Sequence, residues 1–169
     1  MIKISKEIFE RLKSSVEFFH NFSDLELFTF LKFMNPEHFN DGDIIFEEDV
    51  PGDKLYILIN GKVKISKRSG RKGGVVKETE LAIIQPGQCF GEMGLIDRRA
   101  RSAKATCIGT AVLFSITDKM LLKLSNSRKH YPISLKLYRN FAQMLARRLR
   151  ESNVKVVELA AKSQGHSWL

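Results

Sequence analysis

The middle of the chain, from Phe39 to about Ser115, consists of short β-branched runs that glycine and proline interrupt every few residues. Runs such as DGDIIFEED, KLYILING and TAVLFSI are typical of short strands because turn residues flank them. Strands spaced this closely leave no room for the crossover helices of a parallel α/β sheet. This pattern therefore predicts a β-barrel or sandwich, and it is the strongest constraint on the fold.

Helical periodicity lies on both sides of the β region, and the 169 residues suit one domain. We predict N-terminal helices over residues 1–38, the β region over 39–116 and C-terminal helices over 117–163. Ser23 and Asp24 resemble a cap before LELFTFLKFM, and DKMLLKLSNS predicts a short helix. Pro132 then opens a run without interior glycine or proline to about Lys162.

Turn signals divide the β region into its strands. Asn60-Gly61 predicts a tight hairpin, because both residues tolerate positive φ. Pro51-Gly52 and Pro86-Gly87 predict two further turns, and SGRKGG predicts an exposed hairpin tip.

Composition limits the partners and the compartment. The net charge of +9 favours anionic partners such as nucleic acid, lipid headgroups or a phosphate ligand. Cys89 and Cys107 lack CxxC spacing, so we expect buried thiols in a reducing, cytoplasmic compartment. The N-terminus does not read as a signal peptide, and no apolar stretch approaches the roughly 18 residues of a membrane span.

Catalytic and metal-binding patterns are not found in the sequence. The four histidines are isolated, and the acidic stretch Asp41–Asp49 lacks the spacing of a calcium loop, so we expect no metal or cofactor. There is no nucleophile–base pair and no phosphate loop of the GxxxxGK[ST] type. We therefore expect that the chain is not an enzyme.

The segment FGEMGLIDRRARSA, residues 90–103, combines one acid, two glycines and an arginine around a short turn. Gly91 and Gly94 allow the backbone to approach a ligand closely. Arg101 offers a planar fork that matches two phosphate oxygens, and the Glu92 carboxylate can accept hydrogen bonds from a sugar hydroxyl. Together they suit a ligand in which a ribose and a phosphate lie close together.

This segment resembles the phosphate-binding cassette of the cyclic-nucleotide-binding domain family, which includes bacterial catabolite activators and protein kinase A regulatory subunits. The resemblance extends through DGDIIFEEDVPGDKLYILINGKVKI and covers roughly residues 20 to 160. It implies an α+β fold: an antiparallel, jelly-roll-like β-roll, flanked by the N-terminal helices and a long C-terminal helix.

The resemblance also implies which residues contact the ligand. Glu92 would accept from the ribose 2′-hydroxyl, Arg101 would bind the cyclic phosphate, and Ser102 would donate its N–H and hydroxyl to that phosphate. Around them, the cassette contributes Gly91, Met93 and Ala103. The base would lie against an apolar wall formed by Ile65, Leu81 and Ala82, although core packing explains the apolar wall residues equally well. Alternatively, Glu92 and Arg101 form a structural ion pair in a domain without ligand.

The long helix carries a possible dimer seam. Its seam positions are spaced 4, 3, 4 and 3 residues apart, as in a coiled coil, and are apolar except for one serine in the middle: Leu145, Leu149, Ser152, Val156 and Leu159. Packing of the helix against the β-roll is the alternative explanation. The resemblance places Ser152 and Asn153 where helix residues, one of them from the partner subunit, hydrogen-bond the base.

The resulting expectation is a homodimeric sensor module that binds cAMP, or possibly cGMP, and moves its C-terminal helix in response. Ser102, in place of threonine, favours cAMP. The alternatives are a fragment of a catabolite-activator-type transcription regulator and a ligand-free scaffold. Because the chain ends just after the long helix, we do not expect specific DNA binding, and we interpret the basic stretch Arg139, Arg147, Arg148, Arg150 and Lys155 as a solvated face. The downstream protein partner stays unknown.

Overall fold

A computed structural model describes residues 5–72 and 75–164 of the chain. In this part, the helices are α1 (Lys6–Ser15), α2 (Asp24–Leu31), α3 (Glu92–Asp97), α4 (Asp118–Ser125) and α5 (Tyr131–Gln164), with a 3-10 turn at Glu17–Phe19. The strands are β1 (Asn35–Phe39), β2 (Ile44–Phe46), β3 (Lys54–Lys72), β4 (Val75–Ile84), β5 (Cys89–Phe90) and β6 (Lys104–Thr117). The predicted order of helices, β region and helices is confirmed.

The strands form an antiparallel sheet that is not closed into a barrel. The main path is β1-β6-β3-β4, while β2 pairs with β6 and β5 pairs with β3. The two long strands β3 and β6 form the centre of the sheet and pair from Lys54↔Thr117 to Ser66↔Lys104. This is the predicted α+β fold, with a β-roll flanked by N-terminal helices and one long C-terminal helix.

The N-terminal helices begin where the sequence indicates. The Ser23 side chain accepts from the Glu26 N–H while the Glu26 carboxylate accepts from the Ser23 N–H, which completes a capping box at the start of α2. The strands begin at Asn35, however, four residues before the predicted boundary. Pro36 lies within β1, where an edge strand tolerates its missing N–H.

The predicted hairpin at Asn60-Gly61 is wrong. β3 continues through both residues, and its register against β6 shifts on either side of Asn60. Gly61 has φ 92°, and a Cβ there would lie 2.1 Å from the carbonyl oxygen of Thr110 on β6. Gly61 therefore permits a β-bulge and the close approach of β6, and the chain does not reverse direction there.

Two of the other predicted turns can be compared with the structure. A turn includes Pro86-Gly87, as predicted, and Gly87 has φ 89°. Near Pro51-Gly52 the turn lies earlier, at residues 48–49, and Pro51 forms an isolated bridge to Ala100. The first four residues of the SGRKGG segment, 69–72, belong to β3, which pairs with β4 as far as Lys72↔Val75, and its last two, residues 73–74, lie outside the described residues.

The core consists of two clusters on the two sides of the sheet. The larger one joins the N-terminal helices, α4 and the first half of α5 through buried aromatic and aliphatic side chains, including Phe18, Phe30, Leu137 and Phe141. The smaller one lies within the β-roll. Cys89 and Cys107 are buried strand residues, as predicted, and burial raises the pKa of the Cys89 thiol to about 12.

Along the described residues, no helix combines the length and the apolar character that crossing a lipid bilayer requires.

Candidate ligand-binding site

The cassette forms a strand–turn–helix unit followed by a loop into β6. Gly91, between β5 and α3, adopts the left-handed conformation with φ 75°, which favours glycine. A Cβ at Gly91 would also lie 2.8 Å from Nη1 of Arg101. The glycine is therefore required both by its backbone conformation and by the arginine that packs against it.

Arg101 is held firmly on the far side of this turn. Its N–H donates to the carbonyl of Val50 at 2.8 Å, and its carbonyl accepts from the Asp49 N–H at 2.9 Å. The side chain is only 4% exposed, and Nη1 donates to the Gly91 carbonyl oxygen at 2.6 Å. The guanidinium carbon lies 4.2 Å from the centre of the Phe46 ring.

No carboxylate of the described residues contacts the guanidinium of Arg101 directly. Among the described residues it forms no ion pair, and its Nε is buried without a hydrogen-bond partner. Burial is the main influence on this group and lowers the pKa of Arg101 from its usual value. A buried cation without a carboxylate is costly, so this position is suited to an anion that completes the pair.

Glu92 is also buried, at 3% exposure, but it pairs with a different arginine. Nη1 of Arg148, on α5, donates to Glu92 Oε1 at 2.5 Å, and Nη2 donates to the Cys89 carbonyl oxygen at 2.6 Å. The alternative of a structural Glu92–Arg101 ion pair is therefore wrong for this structure. Arg148 holds both ends of the turn that Gly91 occupies.

The interpretation of Arg148 as part of a solvated face is wrong as well. The signal that identifies it is the spacing of the buried residues Leu137, Phe141 and Met144, which Arg148 continues at 4, 3 and 4 residues. An arginine in register with a buried stripe faces the core side of its helix. Arg139, Arg147 and Arg150, off this stripe, are exposed.

The remaining cassette residues lie beside these two charges. Ser102 is exposed, and its hydroxyl lies 3.7 Å from Sδ of Met93, which is 48% exposed. Ala103 is buried at the start of β6. Their contact with a ligand stays a prediction.

The predicted apolar wall lies at the pairing of β3 with β4. Ile65 lies opposite Ala82, and the next pair is Ser66↔Glu80, so the bulge leaves Leu81 without an opposite residue. Leu81 and Ala82 are exposed, whereas Ile65 packs partly against the smaller core cluster. The wall assignment stays a prediction for all three residues.

Ser152 and Asn153 lie about one turn beyond Arg148 and are exposed. Neither side chain forms a hydrogen bond with another described residue. From Leu149 onward the apolar residues of the proposed seam are exposed too, at 62% for Leu149, 61% for Val156 and 65% for Leu159, whereas Leu145 is half-buried. Packing of this part of the helix against the β-roll, the alternative explanation of the seam, is therefore wrong.

Among the described residues, neither a metal site nor the neighbouring cavity includes the predicted contacts. Within residues 5–72 and 75–164, no group of three or more His, Cys, Asp or Glu side chains is placed to hold a metal ion. A shallow cavity beside the cassette includes Gly52, Gly94, Arg98 and Asp118 in its lining, but neither Glu92 nor Arg101. The predicted ligand contacts therefore lie outside that cavity.

Comparison with known proteins places this geometry in a family. The chain is 37% identical over 128 residues to a CRP-like cAMP-activated global transcriptional regulator of Mycobacterium tuberculosis, covering 76% of this chain and 53% of the regulator. It is 31% identical over 138 residues to the cyclic AMP receptor protein of Thermus thermophilus, covering 82% of this chain and 59% of the receptor. The chain thus spans little more than half the length of these relatives.

Solved structures agree with the sequence relatives. The crystal structure of the Thermus thermophilus catabolite activator protein superposes with a TM-score of 0.73 at 30% identity, over 85% of this chain and 63% of that one. The family model described as cyclic nucleotide-binding domain matches residues 36–128, more than half of the chain. The protein therefore belongs to the cyclic nucleotide-binding domain family.

Proposed function

We propose that the chain is a sensor module that binds cAMP at the cassette. The observation that carries the proposal is Arg101, a buried guanidinium without an ion-pair partner among the described residues, at the position that the family resemblance gives to the cyclic phosphate. An anion there would replace a costly unpaired charge with a charge-assisted hydrogen bond. Relatives named as cAMP-responsive support the choice of nucleotide, as does Ser102.

Glu92 is proposed to accept from the ribose 2′-hydroxyl. Arg148 donates to Oε1, which leaves Oε2 without a hydrogen-bond partner among the described residues. A carboxylate accepts through both oxygens, so a sugar hydroxyl and Arg148 can share it. Arg148 thereby couples the ligand site to α5. A ligand can shift α5 from one arrangement to another only as far as its affinities for the two arrangements differ.

The proposed dimer forms through α5. The exposed stripe runs further than the sequence seam, because Tyr131, Leu135 and Tyr138 are 44–59% exposed and continue the same 3- and 4-residue spacing toward the N-terminus. A second copy of this helix would cover the stripe. Ser152 and Asn153, which are exposed on it, are proposed to contact the base, one of them from the partner.

Calorimetry with cAMP, cGMP and cyclic di-GMP tests the ligand. We expect cAMP to bind tightest, and Arg101→Ala to cost about 2–5 kcal/mol because a desolvated phosphate contact is lost. Arg101→Lys should recover only part of this loss, since an ammonium cannot present a planar fork. Binding by Arg101→Ala as tight as in the parent would contradict the phosphate assignment.

A 2′-deoxy analogue of cAMP tests Glu92 separately. Glu92→Gln should weaken cAMP strongly and the analogue much less, because only cAMP offers the 2′-hydroxyl. Equal losses for both ligands would assign Glu92 a structural role through Arg148.

Sedimentation tests the dimer. Leu149→Glu should give monomers and weaker binding, because it places a charge on the seam, while Ser152→Ala should change base discrimination more than dimerisation. Arg150→Glu, on the same exposed half but off the seam, is the matched control. A Leu149→Glu protein that stays dimeric would rule out this interface.

The alternative function is that of a transcription regulator of which this chain is a part. The similarity to a transcriptional regulator, of which the chain spans 53%, supports it. A gel shift at low and moderate salt separates the two, because binding through phosphates alone collapses as salt rises. A titration without any nucleotide binding would instead indicate a ligand-free scaffold. In either case we propose a regulatory, cytoplasmic role and not a catalytic one.

A further inference from the structure

Arg101 lies in a niche that segments far apart in the sequence build together. Phe46 at the end of β2 covers the face of the guanidinium, Gly52 lies against Nε, and Gly91 accepts from Nη1. We propose that Phe46 and Gly52 are positioning residues, which orient Arg101 toward the cyclic phosphate. This inference rests on the proposed function of the cassette.

Phe46 determines the plane of the guanidinium. The guanidinium carbon is 4.2 Å from the ring centre, and cation–π attraction is strongest where, as here, the cation is desolvated. The ring is itself held in place, because its centre lies 6.0 Å from those of both Tyr56 and Phe90. A fixed ring gives the arginine a fixed plane.

Gly52 provides space and not a special backbone conformation. Its φ lies outside the left-handed region, yet a Cβ there would lie 2.1 Å from Nε and 2.4 Å from Cζ of Arg101. No real Cβ contact is that short, so any side chain at Gly52 must displace the guanidinium. Glycine at this position is therefore explained by Arg101.

The niche leaves one edge of the guanidinium for an anion. Nε is buried without a partner, and Nη1 donates to the Gly91 carbonyl oxygen at 2.6 Å. Nη2 has no hydrogen bond to any described residue, and it is not among the fully buried atoms. Phe46, Gly52 and Gly91 thus select which N–H groups of Arg101 face the phosphate.

Double-mutant cycles measured by cAMP calorimetry test the inference. Phe46→Leu should weaken binding about 5- to 30-fold, the range of a desolvated cation–π contact. Gly52→Ala should lose most of the affinity that Arg101→Ala loses. In the Arg101→Ala background, where the clash and the stacking are both absent, each substitution should change affinity by less than about twofold.

Two control variants and one NMR measurement distinguish a positioning role of Phe46 from an effect on folding. Phe46→Tyr keeps the ring face and should bind nearly as the parent does. Phe39→Leu makes the same change at another residue packed on the smaller core cluster and should not alter binding. The Arg101 Nε–Hε resonance, assigned by its absence in Arg101→Lys, should move in Phe46→Leu and not in Phe39→Leu, because the ring current on it is lost.

Each outcome has a definite meaning. Phe46→Leu binding like the parent, or losing the same factor with and without Arg101, would overturn this inference and leave the proposed function intact. A parent that binds no cyclic nucleotide would overturn both. If Phe46→Leu fails to fold, Gly52→Ala carries the test. The stability that Gly52→Ala loses should recover in the Arg101→Ala background, because the clash with the guanidinium is then absent. A loss of stability that does not recover would overturn the inference.

Discussion

The two halves of α5 share one continuous helix but differ in what holds them. The first half, residues 131–148, buries Ile133, Leu137, Phe141 and Met144 against the larger core cluster. In the second half, every described side chain from residue 149 to 161 is exposed. Arg148 marks the boundary.

Polar anchors reinforce the first half. Asn140 donates to the carbonyl oxygens of Phe18 and His20, each at 2.8 Å, and Lys136 pairs with Glu26 at 2.8 Å. No side chain among residues 149–159 forms such a contact with the described residues of the N-terminal helices or the sheet. A helical segment of this length would be marginal in water on its own, which agrees with the proposal that a partner covers the second half. Helical periodicity alone therefore does not tell which half of α5 is held in place.

The largest expected contrast is in the hydrophobic side chains. Phe141→Ala should lower the free energy of unfolding by about 3–5 kcal/mol, because it leaves a cavity in the core. Leu149→Ala, in protein dilute enough to be monomeric, should change it by no more than about 0.5 kcal/mol. Denaturant unfolding of both variants measures this, and similar losses would show that the second half is packed.

A smaller effect is expected at the boundary. Arg148→Ala should cost about 1–3 kcal/mol of unfolding free energy, since it leaves the buried Glu92 carboxylate without its donor. Arg150→Ala, two residues further on an exposed side of the helix, is the control and should be nearly neutral. Restored stability in Arg148→Ala combined with Glu92→Leu would confirm that the unpaired carboxylate is the cause. An Arg148→Ala variant as stable as the parent would place the boundary between the two halves of α5 nearer to the N-terminus of the helix.

Asn140 and Asn153 allow the two halves of α5 to be compared through polar side chains of the same type. Asn140→Ala should cost about 1–2 kcal/mol, because two backbone carbonyls lose their donor where Asn140 is buried. Asn153→Ala, on the exposed half, should leave the unfolding of the monomer unchanged. Both are measured by thermal or denaturant unfolding, and equal effects would contradict the anchoring role.

The smallest effect belongs to the exposed ion pair between Arg147 and Glu17. Arg147→Ala should cost at most about 1 kcal/mol, since exposed pairs contribute little. The loss should shrink further at high salt. A larger, salt-independent loss would show that Arg147 packs against the 3-10 turn instead of only pairing with it.

Much of the fold was predictable because its signals are local. The capping box at Ser23, the turn at Pro86-Gly87 and the glycine between β5 and α3 each depend on residues a few positions apart. The cassette string was predictable for the same reason, since its glycines, acid and arginine lie within 14 residues. At Asn60-Gly61 the local turn signal misleads, because pairing with β6 holds both residues in a continuous strand.

The sequence by itself thus determined the order of elements, the α+β class and the position of the cassette, because propensities and turn preferences act over neighbouring residues. Only the tertiary structure decided which groups meet there. Arg148 reaches Glu92 across 56 positions of the chain, and Phe46 stacks on Arg101 from β2. The first contact depends on how α5 packs on the β-roll and the second on how β2 pairs with β6, and both arrangements bury apolar side chains. No pattern within the cassette contains that information.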